Sequence, residues 1–202
     1  MDMYNKLLLI LFLFILIDTH AQHNLSNEIN KIDSIISISD SLVEHIMCTV
    51  RKFSYIDRFN ILIEDHNLNF DSTYFKRFIG WDTYFVFFDL DKKPFLFIAF
   101  ALSDSGYCTL IHKYYFDSEG KTIFYNFDSS RLDTTYLKIY SKQISTYFNE
   151  DFEIINVLEK YSDDELINMG VPIRFKVIDQ YDFYIIYEKD LQTILDKYKI
   201  KL

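Results

Sequence analysis

A short motif occurs twice in the middle of the chain, and it restricts the possible folds more than any other feature. Residues 88–97 read FDLDKKPFLF and residues 116–125 read FDSEGKTIFY, an offset of 28. Each copy has an aromatic residue, an acid-rich turn and a lysine before an apolar segment, which is the pattern of a β-hairpin. The sequence therefore predicts a four-stranded antiparallel meander, with strands at about 82–89, 94–102, 107–116 and 121–128.

Strand alternation divides the side chains of this meander between two faces. If each turn pairs its flanking residues, one face is mostly apolar in all four strands, with Tyr84, Val86, Phe95, Phe97, Ala99, Ala101, Cys108, Leu110, His112, Tyr114, Ile123, Tyr125 and Phe127. The opposite face is apolar on the first hairpin, with Phe85, Phe87, Leu96, Ile98 and Phe100. On the second hairpin it is mixed, with Thr109, Lys113, Thr122 and Asn126. We expect helices after Arg131 to cover the first hairpin, and the second to be partly solvated.

Helical periodicity precedes the meander. Ser26 can cap a helix over residues 27–48, where apolar residues recur every three or four positions. Residues 51–70 fit a short strand or a continued helix equally well. Asp71 can cap a brief helix that ends at Gly80.

The same periodicity follows the meander. It predicts helices at 134–148 and 152–161, a short helix from the capping box at Ser162, and a last helix over 191–198. Residues 173–177 and 183–188 alternate as a hairpin. The prediction is a single α+β domain at 22–202, made of an N-terminal helix, a four-stranded antiparallel meander, helices, and a C-terminal hairpin and helix.

The first 21 residues predict export. Residues 7–17, LLLILFLFILI, are uncharged, and as a helix they would be about 16 Å long, roughly half of a bilayer core. Lys6 precedes this run, and Thr19 and Ala21 are the small residues of a cleavage site. We expect a signal peptide at 1–21, cleaved after Ala21. The mature chain would then have no membrane anchor and would be periplasmic or secreted.

The doubled F-D-x-[DE]-x-K hairpin behind a signal peptide resembles small exported bacterial proteins of uncharacterised function. The likeness covers about 50 of the 202 residues. It implies architecture and export, and it provides no catalytic residue to transfer.

Glycine, cysteine and charge exclude several function classes. The four glycines lie too far apart for a dinucleotide-binding fingerprint, a P-loop or a nucleophile elbow. Two cysteines sixty residues apart, with no HExxH, exclude zinc fingers and zincins. The net charge of −9 makes nucleic acid a poor partner. We predict no metal and no cofactor, and the partner is an unidentified protein or small ligand.

His112 is the most informative polar residue, because the register places it on the apolar face between Phe97 and Tyr125. A core histidine there would be hydrogen-bonded to Tyr125 or to another tyrosine. The alternative is a pocket in which the imidazole, with Phe97 and Tyr125, contacts a ligand or acts as a general base. Trp81 is the candidate for a partly exposed aromatic contact.

Cys48 and Cys108 form an even pair in a chain with an export signal, which predicts a disulfide. The bond would stabilise the fold by roughly 4 kcal/mol in the chain-entropy model. In a regular helix, however, Cys48 lies about 140° around from the apolar stripe. Both possibilities stay open at this point.

The sequence favours a non-enzymatic interaction or ligand-binding module. One alternative is a small NTF2-like pocket enzyme, in which His112 faces an open cavity with a carboxylate in reach. Another is an exported immunity-type protein that binds a toxin through its acidic surface. If the first helix covers the face that carries His112, this residue is a packed core histidine. If it does not, the pocket interpretations remain.

Overall fold

The computed structural model describes residues 3–45, 47–56, 61–65, 83–102, 108–133, 138–165 and 187–202. Two helices and eight strands lie within them: α1 (Met3–Glu44), β1 (Thr49–Ile56), β2 (Ile61–Asp65), β3 (Thr83–Phe88), β4 (Pro94–Leu102), β5 (Cys108–Phe116), β6 (Thr122–Asp133), β7 (Lys138–Phe148), β8 (Ile154–Glu165) and α2 (Leu191–Lys197). The predicted short helix before Gly80 and residue Trp81 lie outside the described residues. So does the predicted hairpin at 173–177 and 183–188, except for residues 187–188, which are not in a strand.

The eight strands form one antiparallel sheet in the order β2-β1-β3-β4-β5-β6-β7-β8. From β3 to β8 each strand pairs with the next one in the chain. The fold is mainly β, so the prediction of an α+β domain with a four-stranded meander is wrong. Strands β3 to β6 lie where the meander was expected, but they are the middle of a larger sheet. The ambiguous segment after residue 50 contributes β1 and β2 to it.

The predicted helices at 134–148 and 152–161 are the strands β7 and β8. Tyr140, Ile144 and Phe148 are buried four residues apart, a spacing that places side chains on one face of a strand as well as of a helix. In β8 the apolar residues that suggested a helix are instead exposed on an edge strand of the described sheet: Ile154, Val157, Leu158 and Tyr161. The predicted capping box at Ser162 also lies within β8.

Helix α1 covers one face of the sheet. Ile29, Ile32, Ile36, Leu42 and Val43 of α1 pack against a cluster that contains Phe85, Phe87, Leu96, Ile98 and Tyr115. Two phenols of the sheet donate to α1, with Tyr147 Oη 2.9 Å from Asp33 Oδ1 and Tyr115 Oη 2.8 Å from Asp40 Oδ1. The apolar side of the first hairpin is therefore covered by α1, which corrects the expectation that later helices cover it. No helix in the described part of the chain is long and apolar enough to cross a membrane.

The C-terminal segment 187–202 covers the opposite face. Leu191, Ile194 and Leu195 of α2, together with Ile200, are buried in a cluster with Val86, Phe97, Tyr114, Tyr125 and Phe127. This segment is fixed to the β5–β6 turn, because Thr122 N donates to Lys189 O and Leu191 N donates to Gly120 O. Asp190 Oδ1 caps α2 by accepting a hydrogen bond from Thr193 N at 2.8 Å. The final helix agrees with the prediction for 191–198.

Three hairpins of the sheet end in turns of one design. The β3–β4, β5–β6 and β7–β8 turns have Lys92, Gly120 and Phe152 at positive φ, at 61°, 81° and 65°. In each turn, the N–H of that residue donates to the carbonyl oxygen three positions earlier. This is a type I turn followed by a left-handed residue. The turn motif that the sequence shows twice therefore occurs three times in the described structure.

These turns shift the register at the end of each hairpin. Phe88 pairs with Pro94, Phe116 with Thr122, and Phe148 with Ile154, each after a bulge. A one-residue shift moves side chains to the other face. Phe95 and Ile123 consequently lie in the α1 cluster, away from the Phe97 face where the unshifted register placed them. Thr122 lies on the α2 side, where its Oγ1 donates to Glu188 O at 2.7 Å.

Candidate functional site

His112 is a hydrogen-bonded residue of the α2-side core. Its Nδ1 is 2.7 Å from Tyr125 Oη, and its ring centroid lies 5.0 Å from that of Phe127. Burial lowers the pKa of His112 from 6.5 to about 4, and the positive charge of Lys197 acts in the same direction. The predicted hydrogen bond to Tyr125 is confirmed, and it holds an imidazole that is neutral at pH 7.

The other predicted site residues on this face are packed. Phe97 and Tyr125 are both 0 % exposed. The ring of Tyr198 stacks on Phe97 with centroids 5.7 Å apart, and the ring of Tyr187 meets Tyr125 edge-on at 5.3 Å. A side chain without solvent exposure does not contact a ligand in this state. The C-terminal segment thus closes the face around Phe97 and Tyr125, whereas the first helix lies on the other side. His112 itself is partly exposed.

Cys48 is a free thiol in the structure, so it is not bonded to Cys108 there. It is partly buried and packs against the α1-side cluster, and this burial raises the pKa of its thiol. The backbone of Cys108 pairs with Arg131 in the β5–β6 ladder, but its side chain lies outside the described parts. The Cys48–Cys108 disulfide stays a prediction, and the free thiol of Cys48 does not support it.

The α1 side of the sheet is open where α1 does not cover it. A groove of about 580 Å³ crosses β5, β6, β7 and β8, and its lining is mostly polar: Thr109, Ile111, Asp128, Ser129, Ser130, Ser141, Lys142, Gln143, Lys160, Tyr161 and Ser162. The sequence predicted partial solvation of this side of the second hairpin. That is confirmed for Thr109 and Lys113, whereas Thr122 and Asn126 are buried.

The strand register arranges eight of these residues in two straight rows. The first row contains only hydroxyl side chains, since Thr109 pairs with Ser130, Ser130 with Ser141, and Ser141 with Ser162. The second row, two residues along each strand, is Ile111, Asp128, Gln143 and Lys160. Directly paired residues point to the same face of an antiparallel sheet. Because neighbouring strands are about 4.8 Å apart, each row is about 14 Å long.

Asp128 is the acidic centre of the groove. Burial raises the pKa of its carboxyl, against the opposing effects of Lys113 and of a hydrogen bond from Gln143. Lys113 Nζ is 3.8 Å from Asp128 Oδ2, which is an ion pair longer than a hydrogen bond. The Asp128 oxygens therefore retain capacity to accept hydrogen bonds from a donor in the groove.

Sequence reasoning missed this groove because two of its four strands were read as helices. Thr109 was noted as polar on a mixed face, but a row of hydroxyls exists only when β5, β6, β7 and β8 are neighbours. The available signal was the alternation in residues 138–148, where Ile139, Ser141, Gln143 and Ser145 share one face. That alternation competes with the four-residue spacing of Tyr140 and Ile144.

The described residues contain no group of three or more His, Cys, Asp or Glu side chains that could hold a metal ion. The groove presents hydroxyl, amide, carboxylate and ammonium groups, which suit hydrogen bonding to a polar molecule. Comparison of this chain with protein-family models, with curated proteins and with solved structures gave no match.

Proposed function

We propose that this chain is a non-enzymatic binding protein whose ligand occupies the groove across β5 to β8. The observation on which this proposal depends is the division of the sheet into a packed face and a partly open face. The groove on the open face has a volume of about 580 Å³, and polar side chains are aligned along it. This volume lies in the size range of small-molecule sites.

The chemistry of His112 supports a binding function over the NTF2-like enzyme. A general base needs a pKa near the working pH and a substrate within reach. Burial lowers the pKa of His112 to about 4, and its Nδ1 is engaged by Tyr125. Lys197, the charge that also perturbs this pKa, is a cation and therefore does not perform the orienting role of a carboxylate.

Export is part of the proposal. The contacts described between α1 and the sheet come from residues 29–43. Cleavage after Ala21 would leave all of these contacts in the mature chain. The mature protein would then present the groove in the periplasm or outside the cell.

A titration followed by NMR tests the groove directly. The ¹⁵N-labelled chain is titrated with maltotriose, with a mixed-linkage set of neutral trisaccharides, with inorganic phosphate and with spermidine. We expect at least one probe to shift the amide signals of Ser130, Ser141 and Gln143 saturably, while those of Phe97 and Ile194 stay fixed. If no probe moves the groove signals, the groove is not a ligand site.

A second candidate function is supported by the acidic turns. The three turns of shared design lie at one end of the sheet, since every second turn of a meander does. They present Asp89, Asp91, Asp117, Glu119, Glu150, Asp151 and Glu153. An immunity-type protein could use them to bind a basic toxin. A basic toxin encoded beside this gene, with binding lost after Glu119→Lys and Glu150→Lys, would support this candidate, whereas retained binding would contradict it.

A further inference from the structure

The alignment of the two rows also identifies the chemical class of the ligand. We infer that the groove binds a neutral oligosaccharide laid across the strands; this inference rests on the proposed function of the groove.

The hydroxyl row suits a ligand that both donates and accepts hydrogen bonds. Each hydroxyl of Thr109, Ser130, Ser141 and Ser162 has one donor and two acceptor positions, and the amide of Gln143 also offers both. Thr109 and Ser130 hydrogen-bond to each other through their side-chain oxygens. Sugar hydroxyls have the same dual character, so they can join this row without leaving groups unpaired. A purely anionic ligand would only accept, and a purely cationic ligand would only donate.

The groove lining carries charges of both signs: one carboxylate, Asp128, and two ammonium groups, Lys142 and Lys160. Asp128 is paired with Lys113, and Lys160 lies at the exposed end of the second row. A carboxylate in this position accepts from ligand hydroxyls, which is a charge-assisted hydrogen bond and therefore a strong one. The burial that raises the pKa of Asp128 leaves its oxygens less hydrated, which favours a donor brought by the ligand.

The dimensions agree with a short chain of sugars. Rows of about 14 Å, four strands wide, match an elongated ligand better than a compact one. Ile111 begins the second row and is partly exposed, so it offers an apolar contact to the C–H face of a sugar ring. The first row offers hydroxyl groups to one edge of a pyranose ring. The second row offers an apolar side chain and a carboxylate to the other edge.

A glycan array with neutral and anionic glycans, followed by calorimetry, tests the ligand class. We expect binding to neutral glycans, with an affinity that changes less than about twofold between 0.05 and 0.5 M NaCl, because the ligand carries no charge that salt could screen. Thr109→Val and Ser141→Ala should each weaken binding about fivefold, the equivalent of one hydrogen bond. Ser118→Ala removes an exposed hydroxyl at the β5–β6 turn and should leave the affinity unchanged.

The outcomes separate this inference from the proposed function. Binding only to anionic glycans, or an affinity that falls steeply with salt, overturns the neutral-sugar inference while the groove remains a binding site. In the NMR titration, groove signals that shift with phosphate or spermidine but with no trisaccharide also overturn the neutral-sugar inference and leave the groove as a binding site. Unchanged affinity in folded Thr109→Val and Ser141→Ala variants overturns the role of the hydroxyl row. The thermal midpoint of each variant shows whether it is folded.

Discussion

At the scale of single residues, His112 shows how burial decides chemistry. The partly exposed imidazole shares a hydrogen bond with Tyr125, a residue of the core that α2 covers, and its pKa is lowered to about 4. The sequence located this residue on the correct face, because strand alternation is independent of what covers the sheet. It could not identify the cover, because the packing of α2 on Phe97 depends on contacts distant in the chain.

The lowered pKa of His112 predicts a loss of stability in mild acid. The unfolded chain binds the proton with a pKa near 6.5 and the folded chain with a pKa of about 4, so the unfolded state takes up the proton first as the pH falls. The free energy of unfolding should therefore be unaffected above pH 6.5 and should decrease between pH 6.5 and pH 4, by about 3 kcal/mol at most. Urea unfolding at several pH values measures this.

Two variants isolate the contribution of this histidine. His112→Gln should flatten the stability profile between pH 4 and 6.5, whereas His45→Gln, an exposed change directly after α1, should leave it unchanged. A wild-type profile that is already flat in this window would contradict the burial of His112.

At the scale of elements, the turns show how short motifs fix a sheet. The side-chain oxygen of Asp89, Asp117 or Asn149 accepts a hydrogen bond from the N–H four residues later, at 2.8, 3.0 and 2.8 Å. An Asp or Asn at this position therefore adds a side-chain hydrogen bond to the backbone hydrogen bonds that close each turn. The sequence identified two of the three turns. Phe152 in the position of Gly120 concealed the third.

The left-handed residues of these turns should respond oppositely to glycine and alanine. Lys92 is exposed with φ 61°, so Lys92→Gly removes backbone strain and should stabilise the protein by about 0.5–1 kcal/mol. At Gly120 an added Cβ meets nothing within 4 Å, but φ is 81°. Gly120→Ala should therefore destabilise by about 1 kcal/mol through backbone conformation alone. Urea unfolding of both variants checks this, and equal signs would contradict the shared turn geometry.

The two phenols that bind α1 are a further test at this scale. Tyr147→Phe removes the bond to Asp33, and Tyr115→Phe removes the bond to Asp40. Each variant should lose about 1 kcal/mol of stability. Tyr161→Phe is the matched control, because its hydroxyl also donates to a carboxylate, that of Glu159, but on an exposed strand. If Tyr161→Phe lowers the stability as much as Tyr147→Phe and Tyr115→Phe do, the hydrogen bonds to α1 have no special role in holding α1 on the sheet.

At the scale of the whole molecule, the fold is one sheet with unlike faces. The sequence predicted the middle strands, the first helix and the final helix, because their patterns are local. It failed for β7 and β8, since residues four apart share a face in helices and strands alike, and only pairing with β6 decides between them. The groove depends on those two strands and was therefore out of reach of the sequence.

Processing of the chain is the prediction at this scale. Expression in a bacterial host with the leader intact should yield an exported protein whose first residue is Gln22, detected by intact mass and N-terminal sequencing. The described sheet contacts of α1 come from residues 29–43, so this mature form should retain them. A chain recovered from the periplasm with Met1 still present would contradict the predicted cleavage.

Thiol accessibility tests the central claim, which is that the α1-side groove is open and the α2-side face is closed. In a Cys48→Ser, Cys108→Ser background, single cysteines are introduced as Ser141→Cys in the groove and Ala99→Cys in the α2-side core, where Ala99 is buried, and each is labelled with iodoacetamide under native conditions. We expect rapid labelling at position 141 and labelling at position 99 that is at least about tenfold slower, approaching the same rate only in urea. Rapid native labelling at position 99 with protection at position 141 would contradict this claim.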